Sequence, residues 1–251
     1  MSGVWPSLLT GAAAAAAGAV LYGTLWPGSR LLAPVISHGS REAPARVALT
    51  FDDGPHPEAT PAILDILERV GVKAAFFVIG SHAHRHPQLL RRIDAAGHLI
   101  GNHSYDHAYH GMFRAGRYWA DQLHRTEGVI EDAIGKRPQL FRPPMGFKHP
   151  LLARAARQAG YALVTWTRRG RDGWPARTEQ ILRRLADPAR GGDILTLHDG
   201  TDGESNRRSL QPTLDAVEPL ILSLRERSLA LERVDRLIGM PGYAVRNNSP
   251  R

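Results

Sequence analysis

The sequence predicts an α/β fold, a parallel sheet covered by helices that is either open or closed into a barrel, and two observations carry that expectation. From residue 46 onward, short apolar runs alternate with helix-like segments, the pattern of strand-helix-strand units. Four of the apolar runs then stop on residues able to do chemistry, in TFDDGP, GNHSYDH, FRPP and TLHDG. In a parallel α/β barrel the strand C-termini open on one face, so groups far apart in sequence can converge there. At 251 residues the chain is long enough for one such domain.

The elements follow in order. The first 29 residues carry no charged side chain, and residues 4–26 are long enough to cross a bilayer as a helix. The positive segment that opens a cleavable signal peptide is missing, so residues 1–29 are expected to form an uncleaved, single-pass N-terminal anchor. Trp5, Tyr22 and Trp26 fall near its ends, as interfacial aromatics do. Residues 30–45 mix Pro, Gly and Ser with a few apolar residues and read as a linker able to pack in part. Strands are expected over 47–51, 74–80, 99–103, 140–144, 161–166 and 192–200. Helices are expected over 61–71, 87–97, 121–135, 150–160, 177–186 and 213–227, with 240–251 a C-terminal tail.

Composition excludes some chemistries. The chain has no cysteine, so it has no disulfide, thiolate ligand or cysteine nucleophile, and any metal site must be built from His, Asp and Glu. The net charge of +8 comes almost wholly from scattered arginines, since Lys73, Lys136 and Lys148 are the only lysines. That is a cationic surface rather than a nucleic-acid footprint. A single active chain with no nucleic-acid partner is expected.

HSYDH places His103 and His107 four apart, which on one helical turn would aim both imidazoles in one direction. With a carboxylate from the adjacent Asp52 and Asp53 they make a His-His-Asp site with an open position for water, a common plan for hydrolytic zinc. Side by side on a sharp turn, the two aspartates repel each other unless a cation sits with them. One of them would bind the metal, and the other would remain as a base.

These motifs resemble those of the polysaccharide deacetylases of carbohydrate esterase family 4, the group with the NodB homology domain, over residues 46–239. The resemblance implies a distorted (β/α) barrel and metal-dependent removal of N-acetyl groups from amino sugars of a poly- or oligosaccharide. It implies Asp52 as general base, Asp53, His103 and His107 as ligands of a divalent metal, most simply Zn2+, and Arg142 as the residue that positions the base. The main-chain N–H of Met145 would help hold the oxyanion, His198 would be the general acid, and Leu195 and Leu197 would wall the acetyl methyl group. Relatives often read W-S-x-D-x-x-D-W in the fourth motif, where this chain reads WTRRGRDGW with Arg169 near the first Asp position. Asp172 fits the second Asp, which in the family supports the motif-three arginine, and Trp174 is a groove wall or core residue, as is Trp166.

Asp199 is expected to brace His198 and fix its tautomer, or else to cap the following turn. No ligand role is expected for His82, His84 or His86, and His110, His124 and His149 read as surface histidines. Arg30, Arg41 and Arg46 follow the hydrophobic segment, which by the positive-inside tendency favours a cytoplasmic domain, whereas the resemblance favours the envelope side. Two rivals are an inactive sugar-binding homologue and a deacetylase or deformylase of a lipid-linked amino sugar.

Overall fold

The computed structural model describes residues 4–42, 45–108, 111, 114, 116–201 and 209–244. The strands are β1 (Arg46–Asp52), β2 (Ala75–Val78), β3 (Leu99–Asn102), β4 (Leu140–Phe141), β5 (Ala162–Leu163), β6 (Arg168–Arg169), β7 (Ile194–His198) and β8 (Ala230–Leu231). They form one parallel sheet in the order β5-β4-β3-β2-β1-β7-β6, with β8 paired to the start of β1. The sheet curls into a half-barrel. The helices are α1 (Val4–Leu25), α2 (Ala59–Arg69), α3 (Gly80–Arg85), α4 (Pro87–Ala95), α5 (Gly116–Ile134), α6 (Pro150–Gln158), α7 (Thr178–Leu185), α8 (Gln211–Glu226) and α9 (Val234–Leu237).

Strand alternation divides the molecule into two faces. Val47, Leu49, Phe51, Phe76, Val78, Leu195 and Leu197 pack in one core with Ile63 and Leu67 of α2, Ile181 of α7 and Leu220 of α8. Ala48, Ala75, Phe77, Val164, Trp166 and Ile194 belong to a second core, with Val234 and Leu237 of α9. Above this inner core, at the strand C-termini, the alternating positions become polar: Thr50 and Asp52 on β1, Thr196 and His198 on β7. Asp52 lies directly opposite His198 in the register of the two strands.

The expectation of a membrane-spanning anchor finds no support in the structure. Residues Val4–Leu25 are helical, but among the described residues no helix is long and apolar enough to cross a membrane. The residues just past α1 meet the domain: Lys148 Nζ donates to Trp26 O at 2.6 Å and Thr165 Oγ1 to Pro27 O at 2.9 Å.

The segment read as a linker spans the gap between the two edge regions of the curled sheet. Ile36 bridges Val164 just past β5, and His38 bridges Asp193 just before β7. Thr167 Oγ1 donates to Ser37 O at 2.8 Å, while Ala33 and Val35 are buried against α5 and α6. Short β6 and β8 lay outside the expected strands, since two-residue strands carry no alternation to read.

A chain beginning at Arg46 loses this seam and the burial of Val35 and Ala33. It is expected to fold with about 2–4 kcal/mol less stability and to unfold about 5–15 °C lower than the full chain in a thermal melt.

Candidate active site

The site is assembled from turns at the ends of β1, β3, β4 and β7. The β1 turn and the β7 turn interlock at two glycines: a Cβ on Gly54 would lie 2.1 Å from Asp199 Oδ2, and one on Gly200 would lie 2.2 Å from Asp53 O. Only glycine permits that approach. Asp53 itself is left-handed, at φ 71°, a strained conformation that swings its carboxylate off the strand.

That carboxylate meets His103 and His107. Their Nε2 atoms stand 3.3 and 3.4 Å from Asp53 Oδ1, and all three side chains are buried. The expected helical turn is absent, because HSYDH is an extended loop in which Ser104 and His107 are both left-handed, at φ 66° and 50°. A different scaffold brings the imidazoles together. Gln122 of α5 accepts from the Tyr105 and Asp106 N–H groups at 2.9 and 3.0 Å, and Asn102 accepts from Ser104 N at 2.9 Å. The His103 Nδ1–H donates to Arg142 O at 2.7 Å, which fixes the tautomer and leaves Nε2 as a free donor pair.

Asp53 Oδ1 is buried without a hydrogen-bond donor, although burying such an oxygen is costly. A cation shared with two imidazole nitrogens resolves the cost, and this oxygen-nitrogen-nitrogen set suits a divalent transition metal. Burial opposes ionisation of Asp53, yet His107, His103 and His198 outweigh it and hold the carboxyl well below the usual carboxylate range.

Arg142, at the end of β4, is fully buried. Its Nη1 donates to Asp52 Oδ1 at 2.6 Å, Thr50 Oγ1 at 2.8 Å and Thr196 Oγ1 at 3.1 Å, and its Nη2 to Thr165 O at 3.1 Å. The guanidinium also lies 4.0 Å from the Phe77 ring centroid. Asp52 is thereby fixed through one oxygen, Oδ1. Burial lowers the Arg142 pKa, and Asp52 opposes that fall. Asp172 is not among the arginine's partners.

Asp172 instead holds His198. Its Oδ1 accepts from His198 Nδ1 at 2.9 Å, and its Oδ2 from His198 N at 2.8 Å and Thr213 Oγ1 at 2.9 Å. Asp199, expected in that role, accepts from Thr60 Oγ1 at 2.5 Å, and burial pushes its carboxyl up to about 7. The alternation of β7 explains the exchange, since residues 198 and 199 point to opposite sides. Burial would lower the His198 pKa, but Asp172 first and then Asp53 and Asp52 push it up to about 9. Its Nε2 stands 3.9 Å from Asp53 Oδ2.

Other expected residues fall as follows. Met145 sits in a 3-10 turn with φ 57°, whose own hydrogen bonds are donated by Gly146 and Phe147, so the Met145 N–H lies outside them. Leu195 and Leu197 do not reach the site, because they face the helix-side core, opposite His198. Trp174 is 71% exposed, and Trp166 is in the inner core. His124 is exposed and His149 caps α6, while His110 lies outside the described residues. His82, for which no ligand role was expected, contacts the Asp53 main-chain O through Nδ1 at 2.9 Å, and sequence reasoning missed Thr50, Thr196, Thr213 and Gln122.

Two outcomes are expected. Metal analysis after zinc loading should find one ion per chain, and His107→Ala should weaken zinc binding by about a hundredfold or more in competition with a chelator. His198 is protonated below about 9, so a reaction that needs this acid fails as pH rises through that value. Asp172→Asn removes its main support and should move the alkaline limb of kcat/KM down by about one unit or more.

Comparison with known proteins agrees with this geometry. The polysaccharide deacetylase family matches residues 39–164. A peptidoglycan-N-acetylglucosamine deacetylase of Bacillus cereus is 33% identical over 194 residues, 76% of this chain and 87% of the relative. A chitooligosaccharide deacetylase of Azorhizobium caulinodans is 33% identical over 192 residues, 74% of this chain and 91% of the relative. The crystal structure of a peptidoglycan N-acetylglucosamine deacetylase in complex with 4-naphthalen-1-yl-N-oxidanyl-benzamide superposes with a TM-score of 0.76 at 28% identity, covering 83% of this chain and 94% of that one. A family-4 pseudoenzyme from Bacillus anthracis superposes with a TM-score of 0.73 at 25% identity, covering 82% of this chain and 69% of that one. On the family match and the identity to both deacetylases, the chain belongs to the polysaccharide deacetylase family.

Proposed function

We propose that this protein hydrolyses N-acetyl groups on amino-sugar residues of a poly- or oligosaccharide, releasing acetate and leaving a free amine. The observation that carries the reading is the pairing of a braced base with a braced acid around one carboxylate-imidazole cluster. Asp52 is held by Arg142 at 2.6 Å, and His198 by Asp172 at 2.9 Å, with Asp53 beside both. A fold shared with a pseudoenzyme does not secure turnover, but this set of side chains is what amide hydrolysis needs.

Asp53, His103 and His107 would hold the metal, with zinc the first candidate. When bound, such an ion supplies Lewis acidity toward the acetamide oxygen and lowers the pKa of a water towards about 7. Asp52 takes a proton from the attacking water through the oxygen that Arg142 leaves open. The Met145 N–H donates to the oxyanion that develops on the carbonyl oxygen. Amide nitrogen is a very poor leaving group, so the Nε2–H of His198 protonates it as the C–N bond breaks, and Asp172 stabilises the imidazolium until then.

Every side chain in this scheme comes from one chain, which supports a monomer as the active unit. Peptidoglycan strands and chitooligosaccharides, the substrates named for the relatives, are the first to test, and the former would place the enzyme on the envelope side.

Asp52→Asn should lower acetate release by about a hundredfold to ten-thousandfold, the range for loss of a general base, while zinc content stays near wild type. His198→Ala should lose as much on an acetamide but far less on an activated aryl ester, whose leaving group needs no proton. If Asp52→Asn empties the metal site and Asp53→Asn leaves it filled, the two aspartates have exchanged roles. Acetate release absent from every N-acetylated glycan supplied, with zinc bound, would sink the deacetylase reading.

A further inference from the structure

Residues 168–174 lead from β6 to the acid, where Asp172 holds His198, and the charges of Arg169 and Arg171 are not used by the chemistry above. We infer that Arg169 and Arg171 form an anion subsite that selects acidic N-acetylated glycans, those with a carboxylate on the sugar next to the one deacetylated. The inference deepens the proposed function and rests on it for the identity of the reacting group.

Three observations place and charge this subsite. The first is position. Arg171 directly precedes Asp172, which holds the acid, and a Cβ on Gly173 would lie 3.5 Å from His198 Cε1, so the loop backbone rests on the acid's ring. On the other side, the Arg169 guanidinium lies 6.0 Å from the Trp166 ring centroid, and Trp166 touches Gly146, the neighbour of Met145. Arg171 thus adjoins the residue that braces the acid, and Arg169 adjoins the Trp166 ring that packs on Gly146 beside the oxyanion donor.

The second observation is that no counter-charge meets them among the described residues. Both arginines are exposed, and among the described residues neither makes an ion pair or a hydrogen bond, whereas Arg168 beside them is paired with Asp193 at 2.7 Å. Burial and the neighbouring Arg171 both lower the Arg169 pKa, as expected for two cations held together without an anion. The third is backbone strain. Arg171 is left-handed at φ 57°, a conformation that costs an arginine and a glycine would adopt freely.

A guanidinium matches a carboxylate in a two-point, charge-assisted geometry, which makes a carboxylate the fitting occupant. Trp174, 71% exposed on the same loop, offers a ring face for the sugar that bears it. A neutral glycan would leave both charges unused.

The test uses the full chain with zinc supplied and two N-acetylglucosamine-based oligosaccharides of equal length, one neutral and one with an ether-linked carboxylate on alternate sugars. Titration calorimetry at low salt should show the acidic oligomer bound about tenfold more tightly. The Arg169→Gln/Arg171→Gln pair should reduce that preference to within about twofold, with Lys at both positions restoring part of it. Arg171→Gly, which suits the left-handed backbone, should lose part of the preference without disturbing the loop. Arg154→Gln/Arg157→Gln on α6 removes the same charge from a distant exposed face and should leave the preference intact. No preference in the wild-type chain, its survival in the double Gln variant, or equal loss in the α6 control would overturn the subsite. Acetate release is followed in parallel: its absence from both oligomers counts against the deacetylase reading, while the binding ratio still decides the subsite.

Discussion

The centre of this protein is the buried guanidinium of Arg142. A wholly buried cation is costly, and it is tolerated only where its donors are satisfied and a carboxylate lies against it. Here Asp52, Thr50 and Thr196 share one Nη, backbone carbonyls take the rest, and Phe77 covers a face. The same residue's carbonyl orients His103. One residue therefore sets both the direction of the base and the tautomer of a metal ligand. The inner faces of β1, β4 and β7 must keep their register for either to hold, and truncating one partner would strand a buried charge at a cost of about 3–5 kcal/mol.

The acid is built on a different logic. His198 is mostly buried, at 20% side-chain exposure, and needs a carboxylate that keeps it protonated without competing for the metal. Asp172 meets the requirement because it comes from the loop after β6, away from the ligands, and is tied down by Thr213 and the His198 N–H. Asp199, next in sequence, faces away and serves to lock the two turns together through Thr60. Two aspartates near one histidine are thus separated by strand alternation alone.

Much of this was legible in the sequence, and where it was not the reason is local. The convergence of TFDDGP, HSYDH, RPP and LTLHD could be read because parallel strands end on one face. The i, i+4 spacing of His103 and His107 suggested a helical turn, but nothing in the spacing reveals that Gln122, on a distant helix, pins a left-handed loop instead. Leu195 and Leu197 were expected at the acetyl methyl, yet counting by two from His198 selects Thr196 and Ile194 for that face. Their misplacement follows from carrying a motif over without its strand phase.

The division between fixed and changeable parts follows from where each residue gets its support. Asp52, Asp53, His103 and Arg142 are held by the sheet and by one another, so a change at any of them propagates through shared hydrogen bonds. The loop at 168–174 is held by the β6–β7 pairing, by Arg168 on Asp193, by Gly170 with Thr196 and Arg184, and by Asp172 on His198 and Thr213. Between those anchors Arg169 and Arg171 are exposed, and neither is needed to keep the loop in place. Selection on substrate charge can therefore act there without disturbing the acid or the metal ligands. The fourth motif departs from the family's pattern at Arg169 and still delivers the Asp172 carboxylate to His198.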